Sequence, residues 1–270
     1  MAEGAVQTDV ETGTSGRPVL VERAEGVARL TLNRPTQFNA LSEAMLAALK
    51  AALDEIAADS EVRCVVLAAA GNAFCAGHDL RQMMAHDDRA YFQALFAQCS
   101  TVMQAIRALP VPVIARVHGI ATAAGCQLVA ACDLAVAASS ARLAVSGINL
   151  GLFCSTPAVA LSRNVAPKAA FDMLFTGRFI SAERACEIGL VNAVAADEAL
   201  DEAVAEYTTQ IRAKSADAVR LGKRMFYAQR EMPLDEAYRF AGDVMADNMM
   251  LADAQEGIDA FLNKRRPAKG

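Results

Sequence analysis

Twice in this chain a β-branched, apolar run leads into a corner of very small residues and then into a helix. The two stretches are "VVLAAAGNAFCAGHDL", residues 65–80, and "PVIARVHGIATAAGCQLV", residues 112–129. Side chains held to hydrogen or methyl let a ligand approach the main chain, and the free N–H groups at a helix start point at whatever arrives. Two such ends facing each other would present paired backbone donors to a carbonyl oxygen acquiring negative charge. The same small residues would also let strands and helices pack closely, and the residues alone leave both readings open. Either way, strands feeding helices through tight corners call for an α/β core.

The second corner continues into an uncharged stretch, Ile120 to Cys132, in which the one amide side chain is Gln127. With 54% hydrophobic residues and only 6% aromatic, the core must be layers of Ala, Val, Leu, Ile and Met. At 270 residues the chain fits one α/β domain with a helical C-terminal third. "VLVERAEGVARLTLN" reads as a hairpin turning at Glu25-Gly26, Ser42 caps an amphipathic helix, and a helix of about twenty residues stops at Pro110. Beyond Ser155 the pattern is almost wholly helical, with Thr156 and Pro157 expected as cap and first helical residue. Residues 1–16 are acidic and polar and read as a disordered tail, 17–195 as the core, and 196–270 as the helical C-terminal region.

A formal charge of −5 gives no electrostatic reason to expect nucleic acid or an anionic membrane as partner. The uncharged run Leu143 to Ser162 is long enough to span a bilayer, but Gly147, Asn149, Gly151 and Pro157 interrupt it. Seven cysteines without a CxxC pair read as reduced, buried thiols, and a cytoplasmic location is expected from them. Neither GxxxxGK[ST] nor GxGxxG follows a strand, which disfavours phosphate cradling. Cys75, His78 and Asp79 lack the further ligands a metal site needs, so no metal is expected.

Five ordered segments resemble the crotonase superfamily, the enoyl-CoA hydratase/isomerase group. They are "LNRPTQFNAL", "FCAGHDL", "PVIARVHGIATAAGCQLVAACDLAVA", "INLGL" and "TGRFISAERACEIGLVNAV". The resemblance implies a crotonase (ClpP-like) fold, a spiral of ββα units with a helical C-terminal trimerisation region. It implies self-association as trimers or dimers of trimers, and an acyl-CoA or enoyl-CoA thioester as substrate. Coenzyme A would arrive as part of that thioester, with no cofactor bound permanently. The thioester oxygen would be held by the main-chain N–H groups of His78 and Ala124 in an oxyanion hole. The resemblance also places Gln37, Phe38, Ala40, Ala76, Asp79, Leu80, Ile120 and Phe153 along the acyl-CoA path, and Phe261 and Lys264 near the nucleotide.

The usual hydratase pair of glutamates should fall at Gln127 and Gly147. An amide has no proton to exchange near neutral pH and glycine has no side chain. General acid–base groups contribute about 10²–10⁴ each, so efficient hydration is not expected. Putting carboxylates back with Gln127→Glu and Gly147→Glu is expected to raise it. The His78 ring is a further candidate acid or base, with an ordinary pKa near 6.5. Three functions follow: a lyase or isomerase with altered chemistry, an acyl-CoA decarboxylase that makes its enolate without a base, or a non-catalytic acyl-CoA binder. The wording "GLFCSTP", residues 151–157, resembles one branch of the family in particular.

Overall fold

A computed structural model describes residues 16–266, so the expected tail, Gly16 apart, lies outside the described residues. A hairpin of β1 (Val19–Ala24) and β2 (Val27–Leu32) opens the fold. Its two-residue turn has both Glu25 and Gly26 at positive φ, 49° and 76°, the twist that joins antiparallel strands without splaying them. Helix α1 (Glu43–Ala57) follows, its first turn closed by the Ser42 hydroxyl accepting from Met45 N–H and its apolar face buried as the periodicity predicts. β3 (Cys64–Ala69), α2 (Leu80–Met84) and the 20-residue α3 (Arg89–Ala108) complete the first strand–corner–helix passage.

The second passage runs through β4 (Val113–Val117), β5 (Ile120–Thr122) and α4 (Ala124–Ala131). It is followed by β6 (Leu134–Ala138), β7 (Arg142–Ala144), α5 (Ser155–Leu161), α6 (Pro167–Thr176), β8 (Ile180–Ser181), α7 (Ala182–Glu187) and β9 (Ala193–Ala195). Four helices end the described chain: α8 (Leu200–Arg212), α9 (Ala216–Gln229), α10 (Leu234–Met249) and α11 (Ala252–Leu262). The main sheet has the order β1-β2-β3-β4-β6-β9, parallel from β2 onward, and β5, β7 and β8 form a second, smaller sheet. The windings β4–β5 and β6–β7 each add one strand to each of the two sheets before a helix closes them.

Two local expectations change. Beyond Ser155 the chain still contributes β8 and β9; these strands of two and three residues are too short to show a period. α5 begins at Ser155, so Pro157 is its third residue, a position whose N–H has no intrahelical acceptor to lose. Helix α8 lies against the main sheet, with Leu200 and Val204 in the same core cluster as Val65, Ile114 and Val136.

One polar knot fixes α9 to this core. Lys223 Nζ, almost wholly buried, donates to the carbonyls of Ile106 and Val111 and to Asp133 Oδ2 at 2.7 Å. Asp133 also accepts from Tyr227 Oη at 2.7 Å and from Val113 N–H at 2.6 Å. Every Lys223 proton has an acceptor, which is the condition under which a buried ammonium is tolerated. Lys223→Met keeps the stem and removes the charge, leaving Asp133 without its cation. It is expected to cost about 3 kcal/mol in equilibrium urea unfolding, and adding Asp133→Asn is expected to recover part of the loss.

Candidate active site

The small residues of the two corners are spent on contact between the corners. Cys75 N–H donates to Ile120 C=O and Thr122 N–H to Cys75 C=O, both at 3.0 Å. The first turn of α4 then sits on that same carbonyl, because a Cβ added to Gly125 would lie 2.1 Å from Cys75 O. Gly119, at φ 59°, rests on the next stretch of the loop, where an added Cβ would meet Asn72 O at 2.0 Å. At Gly77, φ 92°, an added Cβ would meet Ala123 Cβ at 2.9 Å and the Ala124 nitrogen at 3.3 Å. Close packing and ligand access, left open by the sequence, turn out to be one requirement.

This packing brings two unspent donors side by side. Leu41 N–H bonds to Gly77 C=O and Asp79 N–H to Leu41 C=O, straddling His78. In extended backbone the intervening N–H therefore faces away from Leu41. Ala124 is the first residue of α4, where an N–H has no intrahelical acceptor. Among the described residues neither His78 N–H nor Ala124 N–H donates to a protein acceptor. Ala123, between them in space, holds φ 51° and ψ −120°, a conformation that costs a non-glycine residue about 1–3 kcal/mol and recurs where a site is over-determined by its surroundings.

His78 and Ala124 both line a cavity of about 280 Å³, together with Ala76, Leu80, Met83, Phe96, Ala123, Ser146, Gly147, Leu150, Leu152, Phe153, Cys154, Ser155, Thr156 and Pro157. No carboxylate and no lysine or arginine is in that lining. Burial pushes the His78 imidazole down to about 4, and its Nε2 is buried without a partner, the ring resting edge-on against Phe96 at 5.4 Å. At neutral pH this ring is uncharged, which corrects the expectation that it titrates near 6.5. Burial pushes the Cys75 thiol up to about 12, so it is no thiolate nucleophile.

Of the residues singled out in the sequence, Ala76, His78, Leu80, Ala124, Gly147 and Phe153 line this cavity. Phe38, Ala40 and Ile120 flank it through the backbone. Phe38 C=O accepts from Ala76 N–H, Ala40 precedes the Leu41 that pairs with His78, and Ile120 pairs with Cys75. Gln37 belongs to the same turn as Phe38. Asp79 is a helix cap, accepting from Arg81 and Gln82 N–H and facing Arg34 at 3.6 Å. Phe261 is 82% exposed at the end of α11 and Lys264 lies just beyond it; neither lines the cavity.

Gln127 is the main departure. It is 4% exposed and lines a second cavity, of about 360 Å³, behind the first. Gly147 cannot accept the carboxylate that the family pattern places there, since even a Cβ would lie 2.5 Å from Leu152 O and 2.8 Å from Cys154 Sγ. The carboxylate-restoring pair of substitutions therefore cannot simply rebuild a hydratase. Sequence reasoning missed Met83, Phe96, Thr156 and Pro157 as lining residues; Phe96 sits on a helical stripe that reads as core, and Thr156 and Pro157 read as a helix start. It also missed Asn39, wholly buried, whose side chain ties Arg34 N–H to the carbonyls of Ala70 and Ala73. Its φ is 53°, a conformation asparagine tolerates better than most residues.

A fold of this winding with paired amides at its strand-to-helix corners defines a class, and comparison with known proteins gives it a name. The family model for enoyl-CoA hydratase/isomerase matches residues 22–269, and the chain belongs to that family. It has the crotonase fold. A crystal structure of enoyl-CoA hydratase from Mycobacterium smegmatis superposes with a TM-score of 0.92 at 61% identity, covering 93% of this chain and 98% of that one. The structure of human enoyl-CoA hydratase domain-containing protein 3 superposes at 0.91 with 43% identity, covering 94% of this chain and all of that one (100%). The rat protein, "Enoyl-CoA hydratase domain-containing protein 3, mitochondrial", is 45% identical over 243 residues, 90% of this chain and 81% of its own length. This is the branch that the "GLFCSTP" wording resembles.

The vertebrate relatives of that branch are named mitochondrial, which overturns the cytoplasmic expectation. The seven cysteines are indeed free. Free thiols do not say which compartment holds the protein. Among the described residues no helix is long and apolar enough to cross a membrane.

The buried His78 ring makes stability depend on pH. The unfolded chain takes up this proton near pH 6.5 and the folded chain only near 4. Between those values the unfolded state binds more protons, so stability falls as the pH drops through that window. At 1.36 kcal/mol per unit the loss approaches about 3 kcal/mol. Urea unfolding at pH 7 and pH 4.5 is expected to show this fall, and His78→Gln is expected to show a smaller one.

Proposed function

We propose that this chain binds an acyl-CoA thioester with its C=O between the N–H groups of His78 and Ala124, and that these donors stabilise the thioester enolate. The observation that carries this reading is the abutment of the two corners, with both N–H groups unspent at the wall of one cavity. Each such donor is worth about 10²–10³ in rate where charge develops on the oxygen. The reaction class is that of a lyase or isomerase of the family, without its glutamate pair. Coenzyme A enters with the substrate and passes Gln37, Phe38, Ala40 and Ile120 at the mouth, with Phe261 and Lys264 reaching a nucleotide from a neighbouring copy. Self-association as a trimer or a dimer of trimers belongs to the same reading, supported by the exposed Leu234, Tyr238, Met245, Phe261 and Leu262 on α10 and α11.

The lining favours one reaction within that class. With no carboxylate at the cavity, an enolate is best made by a step that needs no protein base. Loss of CO₂ from a 2-carboxyacyl thioester is such a step. The C–CO₂⁻ bond breaks, its electron pair enters the enolate, CO₂ departs, and water supplies the proton to the α-carbon. On this reading, malonyl-type thioesters release CO₂ faster than short 2-enoyl thioesters take up water, measured by coupled CO₂ assay and by loss of enoyl absorbance. The reverse order would sink decarboxylation and keep the hydratase-type reaction. The donors themselves are tested by replacing Ala124 with its α-hydroxy acid analogue by semisynthesis, which turns the N–H into an ester oxygen and leaves the side chain in place. Proline there would clash with the Ala123 backbone at φ 51° and ψ −120°. The ester variant is expected to lower turnover by about 10²–10³ and to abolish the low-frequency shift of the bound thioester C=O stretch, with the circular-dichroism spectrum unchanged.

A further inference from the structure

The second cavity lies along the same three helices as the first. On α4, Ala124 faces the first cavity, and Gln127 and Ala131, three and seven residues on, face the second. On α3 the sequence is Phe96, then Ser100, Met103 and Arg107. On α5 Thr156 lines both cavities, followed by Ala160 and then Arg163 just past the helix end. Spacings of three, four and seven place each set on one helix face. Three stripes therefore lead from the amide pair, past Gln127, to a far end where Arg107, Arg163 and Arg230 gather with a single carboxylate, Glu231. The distance is roughly 10 Å along α4 and roughly 16 Å along α3 at 1.5 Å per residue.

The far end carries cationic capacity that the protein uses only in part, with Arg107 over the Tyr227 ring at 4.6 Å and Arg230 over the Phe226 ring at 5.6 Å. Arg107 Nη2 donates to Glu231 and to Tyr227 C=O, Arg163 Nη1 to Val159 C=O, and Arg230 Nη2 to Arg163 C=O. Among the described residues the other nitrogens of these guanidinium groups donate to no protein acceptor. Against three positive charges stands one negative. Glu231 is held below the usual carboxylate range by Arg107 first, with Arg163 and Arg230 adding at longer range, so all three already address one carboxylate position. Midway, Gln127 is 4% exposed and its Oε1 has no partner. An orphaned buried acceptor is costly. A water carried in the channel would relieve it.

We infer that the two cavities form one acyl channel and that its arginine end takes a terminal carboxylate, so the preferred substrates are CoA thioesters of dicarboxylic acids. The inference rests on the thioester reading above. The test compares decanedioyl-CoA with decanoyl-CoA, and each with free CoA, by calorimetry on the full-length protein. Decanedioyl-CoA is expected to bind about tenfold tighter than decanoyl-CoA, the scale of charged hydrogen bonds gained. The ratio is expected to fall towards one in Arg163→Gln with Arg230→Gln, and towards one in wild type as salt is raised. Equal wild-type affinities, both tighter than free CoA, would overturn the dicarboxylate inference and leave the thioester reading standing. Two acyl forms no tighter than free CoA would overturn the thioester reading and this inference with it.

Discussion

The contact on which the site depends is backbone against backbone, the first turn of α4 lying on the carbonyl of Cys75. That carbonyl already accepts from Thr122 N–H, and Gly125 approaches so closely that no Cβ has room. Anything that widened this approach would separate the His78 and Ala124 amides, since both are placed by the strands that meet there. The strained φ of Ala123 is part of the same construction: it turns the chain from β5 into α4 within one residue. A few kcal/mol of strain and close packing thus hold two donors in place before any ligand arrives, which is the condition for electrostatic stabilisation without reorganisation.

The rest of the cavity is electrically quiet. Its histidine is neutral, its cysteine, Cys154, is pushed up by burial, and its hydroxyls come from Ser146, Ser155 and Thr156. Ser146 is already engaged with Thr122, whose oxygen lies at 2.7 Å. A hydratase places two carboxylates in such a space, each worth about 10²–10⁴. Here the backbone conformation at Gly147, closed off by Leu152 and Cys154, excludes one of them on steric grounds. On the proposed reading the family scaffold retains its main-chain electrostatics without the proton-transfer groups, and the two features are separable because the first resides in glycine corners and the second in side chains.

Much of this was legible in the sequence, and for physical reasons. The corners announce themselves because a positive φ or a backbone contact admits few residue types, as at Gly77, Gly119 and Gly125. The capping serine, the Glu25-Gly26 turn and the long amphipathic α3 follow from local chemistry that tertiary packing does not override. What was hidden is what packing decides. β8 and β9 are too short for a period, and their pairing comes from neighbours far along the chain. Phe96 and Met103 lie on one helical stripe that reads as core but opens to two cavities. Gln127 stands out in the sequence as an amide among apolar residues, yet no local pattern tells which cavity a buried side chain enters.

Its placement also bears on why an amide stands there. A carboxylate at position 127 would be buried where the present side-chain oxygen finds no donor, and desolvation would drive its pKa up. If ionised, it would put a fixed negative charge between the amide pair and the arginines, competing for those arginines with Glu231 and with any anionic ligand. An uncharged glutamine avoids both penalties while keeping a polar group in a passage that Met103, Ala130, Ala131 and Ala160 also line. On the proposed reading, the missing acid–base residue and a neutral path to a cationic end are a single electrostatic adjustment. On that same reading the helix that begins by presenting an N–H to the thioester continues, one turn later, by keeping the way beyond it free of charge.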